Sequence, residues 1–332
     1  MNTPDPAAPT PVANPALQAR EGTEQRKREK RDVSGWVVLD KPVGMTSTHA
    51  VARVKRAFSA KKAGHAGTLD PLASGLLPIA LGEATKTVPF VMEGRKRYRF
   101  TVRWGIETDT DDAEGRTIAA SDARPSADAI NAALPRFTGA ISQVPPKFSA
   151  IKVDGERAYD LARDGEAVEL EARTVEIHHL ALVDTPDADH AVFEAECGKG
   201  TYVRALARDL GRVLESAGHV VALRRTMVGP FGETDAVGVE ALQAYGEAAA
   251  SAKLPRPPFL LSVEAGLQTL PSLNVSTADA ARLARGQAVL LRGRDAPVIA
   301  GWIAVSTQGT LIALAVAERG ELHPRRIFHP AK

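Results

Sequence analysis

The carboxylate of Asp70 interrupts a run of apolar and glycine residues, AGTLDPLASGLLPIALG, at positions 66–82. A carboxylate buried without a partner costs several kcal/mol, so this side chain needs a structural or a chemical use. The Asp-Pro pair is typical of a helix N-cap followed by proline at the first helical position, and Gly75 would end that single turn. Alternatively, a carboxylate held rigidly among glycines serves as a nucleophile or as an acid–base group. The residues of this stretch leave both interpretations open.

The length of 332 residues predicts two domains, and 44% hydrophobic and 25% charged residues are typical of a soluble globular chain,. The single cysteine, Cys197, excludes an intramolecular disulfide and predicts a reducing, cytoplasmic compartment,. No apolar run is long enough to span a membrane, and the N-terminus has no apolar signal core. The net charge of +2 neither requires nor excludes a nucleic-acid partner,.

Composition divides the chain into three parts. Residues 1–32 are rich in proline and alanine and then almost entirely charged, which predicts a disordered tail,. Residues 33–252 carry the motifs described below, and the linker ASAKLPRPP separates them from a small β-rich unit at 266–330,.

Hydrophobic patterning predicts the main elements. Strands are expected at WVVL, GLLPIALG, RKRYRFTVRWGIETDT, VEIHHLALVD, HAVFEAEC and VVALRRTMVGPFG, with AKKAGHAGTLDP as a loop,. Helices are expected after a cap at Thr46 or Ser47, after Ser126, from Thr201, and briefly near Gly238–Tyr245,. In the last unit, a short helix should precede two strands joined by a polar turn.

Basic and aromatic residues recur beside the unusual motifs. KRYRF interleaves cations with Tyr98 and Phe100, the pattern expected for stacking and phosphate contact in single-stranded RNA recognition,. ECGKGTYVR lacks the GxxxxGK[ST] spacing of a phosphate-binding loop, but it places Tyr202 and Arg204 in the first turn of a predicted helix,. That pair would serve either as core and surface residues or as a stacking ring with an anion-binding partner.

The acidic stretch ETDTDDAEG suggests a metal site but does not fit one well. An EF-hand loop that begins at Asp109 needs glycine at its sixth position, where Glu114 stands,. A phosphatase-type aspartate nucleophile is conceivable, but we favour an exposed acidic hairpin turn. Adjacent histidines at 178 and 179 point to opposite faces of a strand, so no metal is expected,.

Five segments in order, LDKPVGMTS, GHAGTLDPLASGLLPIALGEATK, KRYR, KGTYVR and HVVALRR, resemble the TruB family of tRNA pseudouridine synthases over about residues 33–250. The resemblance implies an α/β (α+β) fold with a mixed, largely antiparallel central sheet flanked by helices. It also implies a small β-rich, PUA-like C-terminal domain. The implied reaction converts the T-loop uridine at tRNA position 55 to pseudouridine after base flipping.

The resemblance also implies roles for individual residues. Asp70 matches the catalytic aspartate nucleophile, which attacks either C1′ of the ribose or C6 of the base. The positions that match substrate-binding residues are His65 at the flipped bases, Tyr98 stacking on the target base, Tyr202 near that base, Arg204 pairing with the aspartate, and Leu223 against the nucleotide. Residues 139–165 match a segment that clasps RNA.

The implied partner is the T arm of tRNA, with no cofactor, metal, membrane or obligate protein partner, and the chain is expected to act as a cytoplasmic monomer. The sequence is also compatible with two other functions. A non-catalytic RNA-binding protein would use the basic loops and the C-terminal unit. A metal-dependent phosphohydrolase would use the acidic stretch at 107–115.

Overall fold

The computed structural model describes residues 29–148, 152–153, 156–157, 170–251, 254–291 and 300–329. The predicted disordered tail, apart from its last four residues, and about half of the predicted RNA-clasping segment lie outside these described residues.

Six α-helices are present in the described residues: α1 Ser47–Ala57, α2 Val88–Glu93, α3 Ala127–Ala133, α4 Val203–Val213, α5 Val239–Ser251 and α6 Thr277–Ala284. Short 3-10 helices lie at Gly82–Lys86, Leu134–Phe137, Glu233–Asp235 and Glu264–Leu267.

The strands that the structure describes are β1 Gly35–Lys41, β2 Ala63–His65, β3 Ser74–Leu81, β4 Lys96–Trp104, β5 Ile106–Thr108, β6 Thr117–Ala120, β7 Gly139–Gln143, β8 Lys152–Val153, β9 Glu156–Arg157, β10 Arg173–Asp187, β11 His190–Cys197, β12 Gly218–Val228, β13 Phe231–Gly232, β14 Ala236–Val237, β15 Ser272–Asn274, β16 Val289–Leu290, β17 Gly301–Thr307, β18 Thr310–Glu318 and β19 Glu321–Ile327.

A ten-stranded sheet forms the centre of the molecule, in the order β14-β1-β3-β12-β4-β11-β10-β7, with β2 added to β3 and β13 to β12. The β1–β14 and β3–β12 pairs are parallel and the other pairs are antiparallel. Helices cover this sheet, which confirms the predicted mixed, largely antiparallel fold with flanking helices.

Strand alternation places the aromatic residues of β4 on one face. Phe100, Val102 and Trp104 are buried, whereas Arg97, Arg99 and Arg103, which alternate with the inward-facing residues, are exposed,. Tyr98 lies on the buried face two residues before Phe100 and pairs across the sheet with Arg225 of β12. The predicted strand therefore presents its tyrosine inward, beside a cation from the neighbouring strand.

A second sheet of five strands, in the order β15-β17-β18-β19-β16, confirms the predicted β-rich C-terminal unit. It contacts the region around α2, where the rings of Phe90 and Trp302 meet edge to face at 5.1 Å between centroids. Lys86 also donates a hydrogen bond of 2.7 Å to the carbonyl of Ile327. The C-terminal sheet is thus packed against the helix that follows the Asp70 stretch.

Three local predictions were wrong. Ala63–His65, predicted as loop, is strand β2, because its backbone pairs with β3. The helix predicted from Thr201 begins at Val203, and Tyr202 is its extended N-cap residue rather than part of the first turn. The short helix expected near 238–245 continues to Ser251, because alanines in its last turns favour helix.

Gly75 permits the closest approach between β3 and β12. Its φ is +98°, and a Cβ atom there would lie 2.2 Å from the carbonyl oxygen of Arg225. Left-handed backbone is strained for other residues, and a backbone contact this short cannot relax without moving a strand. Glycine at position 75 therefore allows the backbone of Arg225 in β12 to approach β3 closely.

We expect Gly75→Ala to destabilise the fold by about 3 kcal/mol or more, since strain in φ is added to a steric clash with backbone. Gly139→Ala is the matched control, because Gly139 has a φ of +88° but no atom within 4 Å of the added Cβ. Urea unfolding of both variants would separate the two costs. Equal losses in the two variants would mean that the β3–β12 approach is not tight.

Candidate active site

The backbone on both sides of Asp70 is held by side chains from elsewhere in the fold. The Ser47 hydroxyl donates to the Leu69 carbonyl and accepts from the Leu69 amide, both at 2.9 Å. The Arg225 guanidinium donates to the carbonyls of Gly67 at 3.0 Å and Thr68 at 3.2 Å. Two distant elements, the start of α1 and strand β12, therefore fix this loop.

Asp70 does not cap a helix. Residues 71 and 72 form a turn closed by the Ala73 amide on the Asp70 carbonyl, and no helix follows before β3. The carboxylate is also not fully buried, since its side chain retains 40% of its exposure. The N-cap interpretation is therefore wrong, and Asp70 is a rigidly placed carboxylate facing a cleft.

Arg204 forms an ion pair with Asp70, with Nη2 at 2.9 Å from Oδ2. Its Nη1 lies 3.2 Å from Oδ2 of Asp112 and donates to the Thr110 carbonyl at 3.0 Å. Nη2 also donates to the Phe148 carbonyl at 2.9 Å. These contacts leave the buried guanidinium one orientation, and a planar cation held in this way fixes the direction of the Asp70 carboxylate.

The same face of α4 carries three arginines spaced four residues apart. Arg208 pairs with Asp111 at 2.8 Å, and Arg212 pairs with Glu107 at 2.5 Å. Residues four apart lie on one helical face, so α4 presents a row of cations that continues from Arg204. Its other face buries Val203, Leu206 and Leu210 in the main core.

The hairpin formed by β5 and β6 was predicted as an exposed acidic turn, and this prediction was wrong. Glu107, Asp111 and Asp112 are all buried beneath α4. The arginines of α4 supply the counter-charges that make burial tolerable. Burial nevertheless raises the pKa of Asp111 to about 6, even though Arg208 and Arg204 act to lower it.

This burial also removes the basis for a phosphohydrolase. The carboxylates of Asp111 and Asp112 are engaged by Arg208 and Arg204, so they are not open to a cation. Among the described parts of the chain, no group of three or more His, Cys, Asp or Glu side chains has the geometry to hold a metal ion. In the same parts, no helix is long and apolar enough to cross a membrane.

A cleft of about 280 Å³ opens beside Asp70, between the central sheet and the start of α4. Four of the five predicted substrate-binding residues line it together with Asp70. Its walls are Gly67, Thr68, Leu69, Asp70, Met92, Lys96, Tyr98, Gly198, Lys199, Gly200, Thr201, Tyr202, Val203, Arg204, Leu223 and Arg225.

The predicted residue that is not in these walls is His65. It lies on β2, paired with Ile79 of β3, two residues before the glycine that begins the Asp70 loop. The structure thus brings Tyr98, Tyr202, Arg204 and Leu223 together around Asp70 and leaves His65 beside that group.

Tyr98 meets Arg225 deep in the cleft. Burial raises the pKa of the Tyr98 hydroxyl above its usual value, although the charge of the neighbouring Arg225 acts to lower it. Arg225 is only 2% exposed and also donates to the Leu76 carbonyl at 2.9 Å. The tyrosine therefore stays neutral, and it contributes to the wall of the cleft.

Sequence reasoning did not assign a role to Gln143, which positions Tyr202. Its side-chain oxygen accepts from the Tyr202 amide at 2.9 Å, and its side-chain nitrogen donates to the Tyr202 carbonyl at 3.2 Å. Because Gln143 is buried, these two bonds hold the backbone immediately before α4,. No local pattern reveals this contact, since the two residues lie 59 positions apart.

The sequence of this chain matches models of a known protein family. The TruB family pseudouridylate synthase N-terminal domain matches residues 55–203, and the tRNA pseudouridylate synthase B C-terminal domain matches residues 204–268. A curated protein of Bradyrhizobium diazoefficiens named tRNA pseudouridine synthase B is 64% identical over 321 residues, which cover 97% of this chain and 93% of that protein. The chain belongs to the TruB family.

Other relatives extend the TruB comparison. The protein of Agrobacterium fabrum with the same name is 55% identical over 307 residues, covering 92% of this chain and 98% of its own. Among solved structures, a chain of the archaeal box H/ACA sRNP Nop10–Cbf5 complex is 25% identical. It aligns with a TM-score of 0.68 over 89% of this chain and 86% of that chain.

We expect Asp112→Asn to lower kcat by about ten-fold or more with a smaller effect on KM. Without the Asp112 carboxylate, the Arg204 guanidinium loses one of its contacts and holds Asp70 less rigidly. A small misplacement of the reacting carboxylate lowers the rate of the chemical step considerably. Glu114→Gln, which neutralises an exposed carboxylate of the same hairpin, is the control. Steady-state kinetics on unmodified tRNA would show an equal loss in both variants if only the charge of the hairpin mattered.

Burial lowers the pKa of Lys96 to about 8, from 10.5 for an exposed lysine. Between these values the unfolded chain binds the Lys96 proton more tightly, so stability rises as pH increases from about 8 to 10.5. We therefore expect wild type to gain stability relative to Lys96→Gln across this window, by on the order of 1–2 kcal/mol.

Urea unfolding of both proteins at about pH 7 and pH 10 would measure this gain. Lys41, whose pKa is also about 8, is present in both proteins and cancels from the difference. A stability difference that does not change with pH would show that the Lys96 ammonium is hydrated.

Proposed function

We propose that this TruB-family chain isomerises the uridine at position 55 in the T loop of tRNA to pseudouridine, with Asp70 as the nucleophile. The observation that carries this proposal is a single carboxylate, aimed into a cleft by Arg204 at 2.9 Å. In the reaction the C1′–N1 bond breaks, the uracil turns, and a C1′–C5 bond forms. Substrate and product are isomers, so the reaction needs no oxidant, reductant or hydrolytic water.

The position of Asp70 suits this chemistry. A nucleophilic carboxylate must be held rigidly, and the neighbouring guanidinium fixes the direction from which Asp70 attacks,. The 40% exposure of the Asp70 side chain leaves one oxygen edge open to a substrate in the cleft. Attack on C1′ of the ribose or on C6 of the base is compatible with this arrangement.

Because Asp70 lies in the wall of a cleft, the nucleotide must leave its stack before it reacts,. Flipping a base out of folded RNA costs a few kcal/mol. Stacking on the Tyr98 ring would return about 1–3 kcal/mol, and contacts with Leu223 and Tyr202 would hold the ring. We assign His65 to the space that the flipped bases leave, because it lies beside the Asp70 loop but outside the cleft walls.

The same proposal divides the chain into a catalytic domain at 33–252 and a PUA-like RNA-binding domain at 266–330. The two separate sheets support this division. We further propose that the chain binds the T arm as a cytoplasmic monomer without an obligate protein partner. The archaeal relative of known structure is part of a complex with Nop10. The proposed monomeric state applies to the present chain and not to that relative.

The proposal is tested with full-length unmodified tRNA in the presence of EDTA. We expect one uridine per tRNA, at position 55, to become pseudouridine, as measured by nuclease digestion and mass spectrometry. A tRNA with cytidine at position 55 is the control and should yield none. Binding of tRNA without any conversion would favour the RNA-binding alternative.

A further inference from the structure

Two cations in the cleft wall have no acidic partner among the residues that the structure describes. Lys96 is 7% exposed, and its Nζ donates to the carbonyls of Met92 and, at 2.6 Å, of Gly94. Arg225 is 2% exposed and donates to three backbone carbonyls. The nearby carboxylates are already engaged, Glu93 by Lys199 and Asp70 by Arg204.

This arrangement differs from that of Arg204 and Arg208 on α4, which are similarly buried but paired with carboxylates. Burying a charge without a counter-charge is unfavourable, and backbone carbonyls offset only part of the cost. Such a site is easiest to explain when the negative charge arrives with a ligand. Because both cations line the cleft, the missing charge belongs to the substrate.

The proposed reaction generates negative charge at this place. When an Asp70 oxygen attacks C1′, the C1′–N1 bond breaks and its electron pair stays on the uracil, spread over N1, O2 and O4. The C1′–C5 bond then forms as the bond between C1′ and the Asp70 oxygen breaks, C5 loses a proton and N1 gains one, so that the product is an isomer of the substrate and Asp70 is restored. The ring is anionic only between these steps, and a fixed cation beside it lowers the barrier.

Lys96 lies next to the position that such a ring would occupy. It is two residues before Tyr98 on the same strand, and residues so spaced share one face of a sheet. A ring stacked on Tyr98 would therefore lie beside the Lys96 ammonium. Of the three N–H donors of that ammonium, two contact the carbonyls of Met92 and Gly94, so the third can point to a uracil oxygen,.

We propose that Lys96 is a catalytic residue that stabilises the anionic uracil after the C1′–N1 bond breaks, with Arg225 adding positive charge from behind Tyr98. This inference rests on the proposed function. A phosphate-binding role is the competing possibility, but the exposed Lys199 at the same cleft is better placed for a phosphodiester than the buried Lys96.

The test compares Lys96→Gln with wild type in single-turnover reactions on T-arm RNA. Glutamine keeps two N–H donors but removes the charge. We expect the rate constant to fall by about 10–100-fold, while the Kd for RNA changes by less than about three-fold. Lys96→Met keeps the length and the apolar stem of the side chain but removes its charge. If the glutamine variant does not fold, the rate constant of the methionine variant tests the same effect.

A second substrate separates a catalytic role from a structural one. RNA with 5-fluorouridine at the target position carries a better leaving group, because fluorine withdraws electrons from the uracil anion. Loss of intact 5-fluorouridine, followed by mass spectrometry, reports cleavage of the C1′–N1 bond. We expect the defect of the Lys96 variants to be clearly smaller on this RNA than on the uridine substrate.

Lys41→Gln is the matched control, since Lys41 is a buried ammonium held by the carbonyls of Pro42 and Met45 but is not part of the cleft wall. Its defect, if any, should be equal on both substrates. The inference is overturned if the Lys96 variants react at wild-type rates, lose only affinity, or show equal defects on both substrates. No product from wild type would overturn the proposed function and this inference together.

Discussion

The guanidinium of Arg204 is the group on which the rest of the site depends. It lies between Asp70 and Asp112 and contacts both carboxylates, at 2.9 and 3.2 Å. Asp112 and the carbonyls of Thr110 and Phe148 fix the guanidinium, so that it can orient Asp70 from one side,. The half-exposed carboxylate can therefore face a substrate while its partner remains fixed in the core, which is the arrangement that nucleophilic attack requires.

The fold surrounds this contact with supports from distant parts of the chain. Helix α4 holds Arg204 through its apolar face, and the β5–β6 hairpin supplies the second carboxylate. Gln143 holds the backbone before α4, and Arg208 and Arg204 bind the carbonyls of Val144 and Phe148. The strand that leads toward the predicted RNA-clasping segment is thus joined directly to the helix that orients Asp70.

Local patterns predicted the elements well and the charge network poorly. Sequence patterns placed one helix after a cap at Thr46 or Ser47 and another after Ser126, and the structure has Thr46 and Ser126 as the caps. The motif around Asp70 identified the nucleophile candidate. The acidic hairpin was wrongly predicted to be exposed, because a cluster of acidic residues beside a turn usually faces solvent. The arginines that compensate Asp112 and Asp111 lie 92 and 97 residues later, so only the packed fold reveals their partners.

The most direct test of the account is to measure RNA binding and pseudouridine formation on the same preparation of Asp70→Asn. Asparagine keeps the shape of the side chain but is neither a nucleophile nor an anion for Arg204. The account predicts T-arm binding within about three-fold of wild type and no detectable pseudouridine. Conversion at a substantial fraction of the wild-type rate, or loss of binding in parallel with conversion, would contradict the assignment of Asp70 as the attacking group.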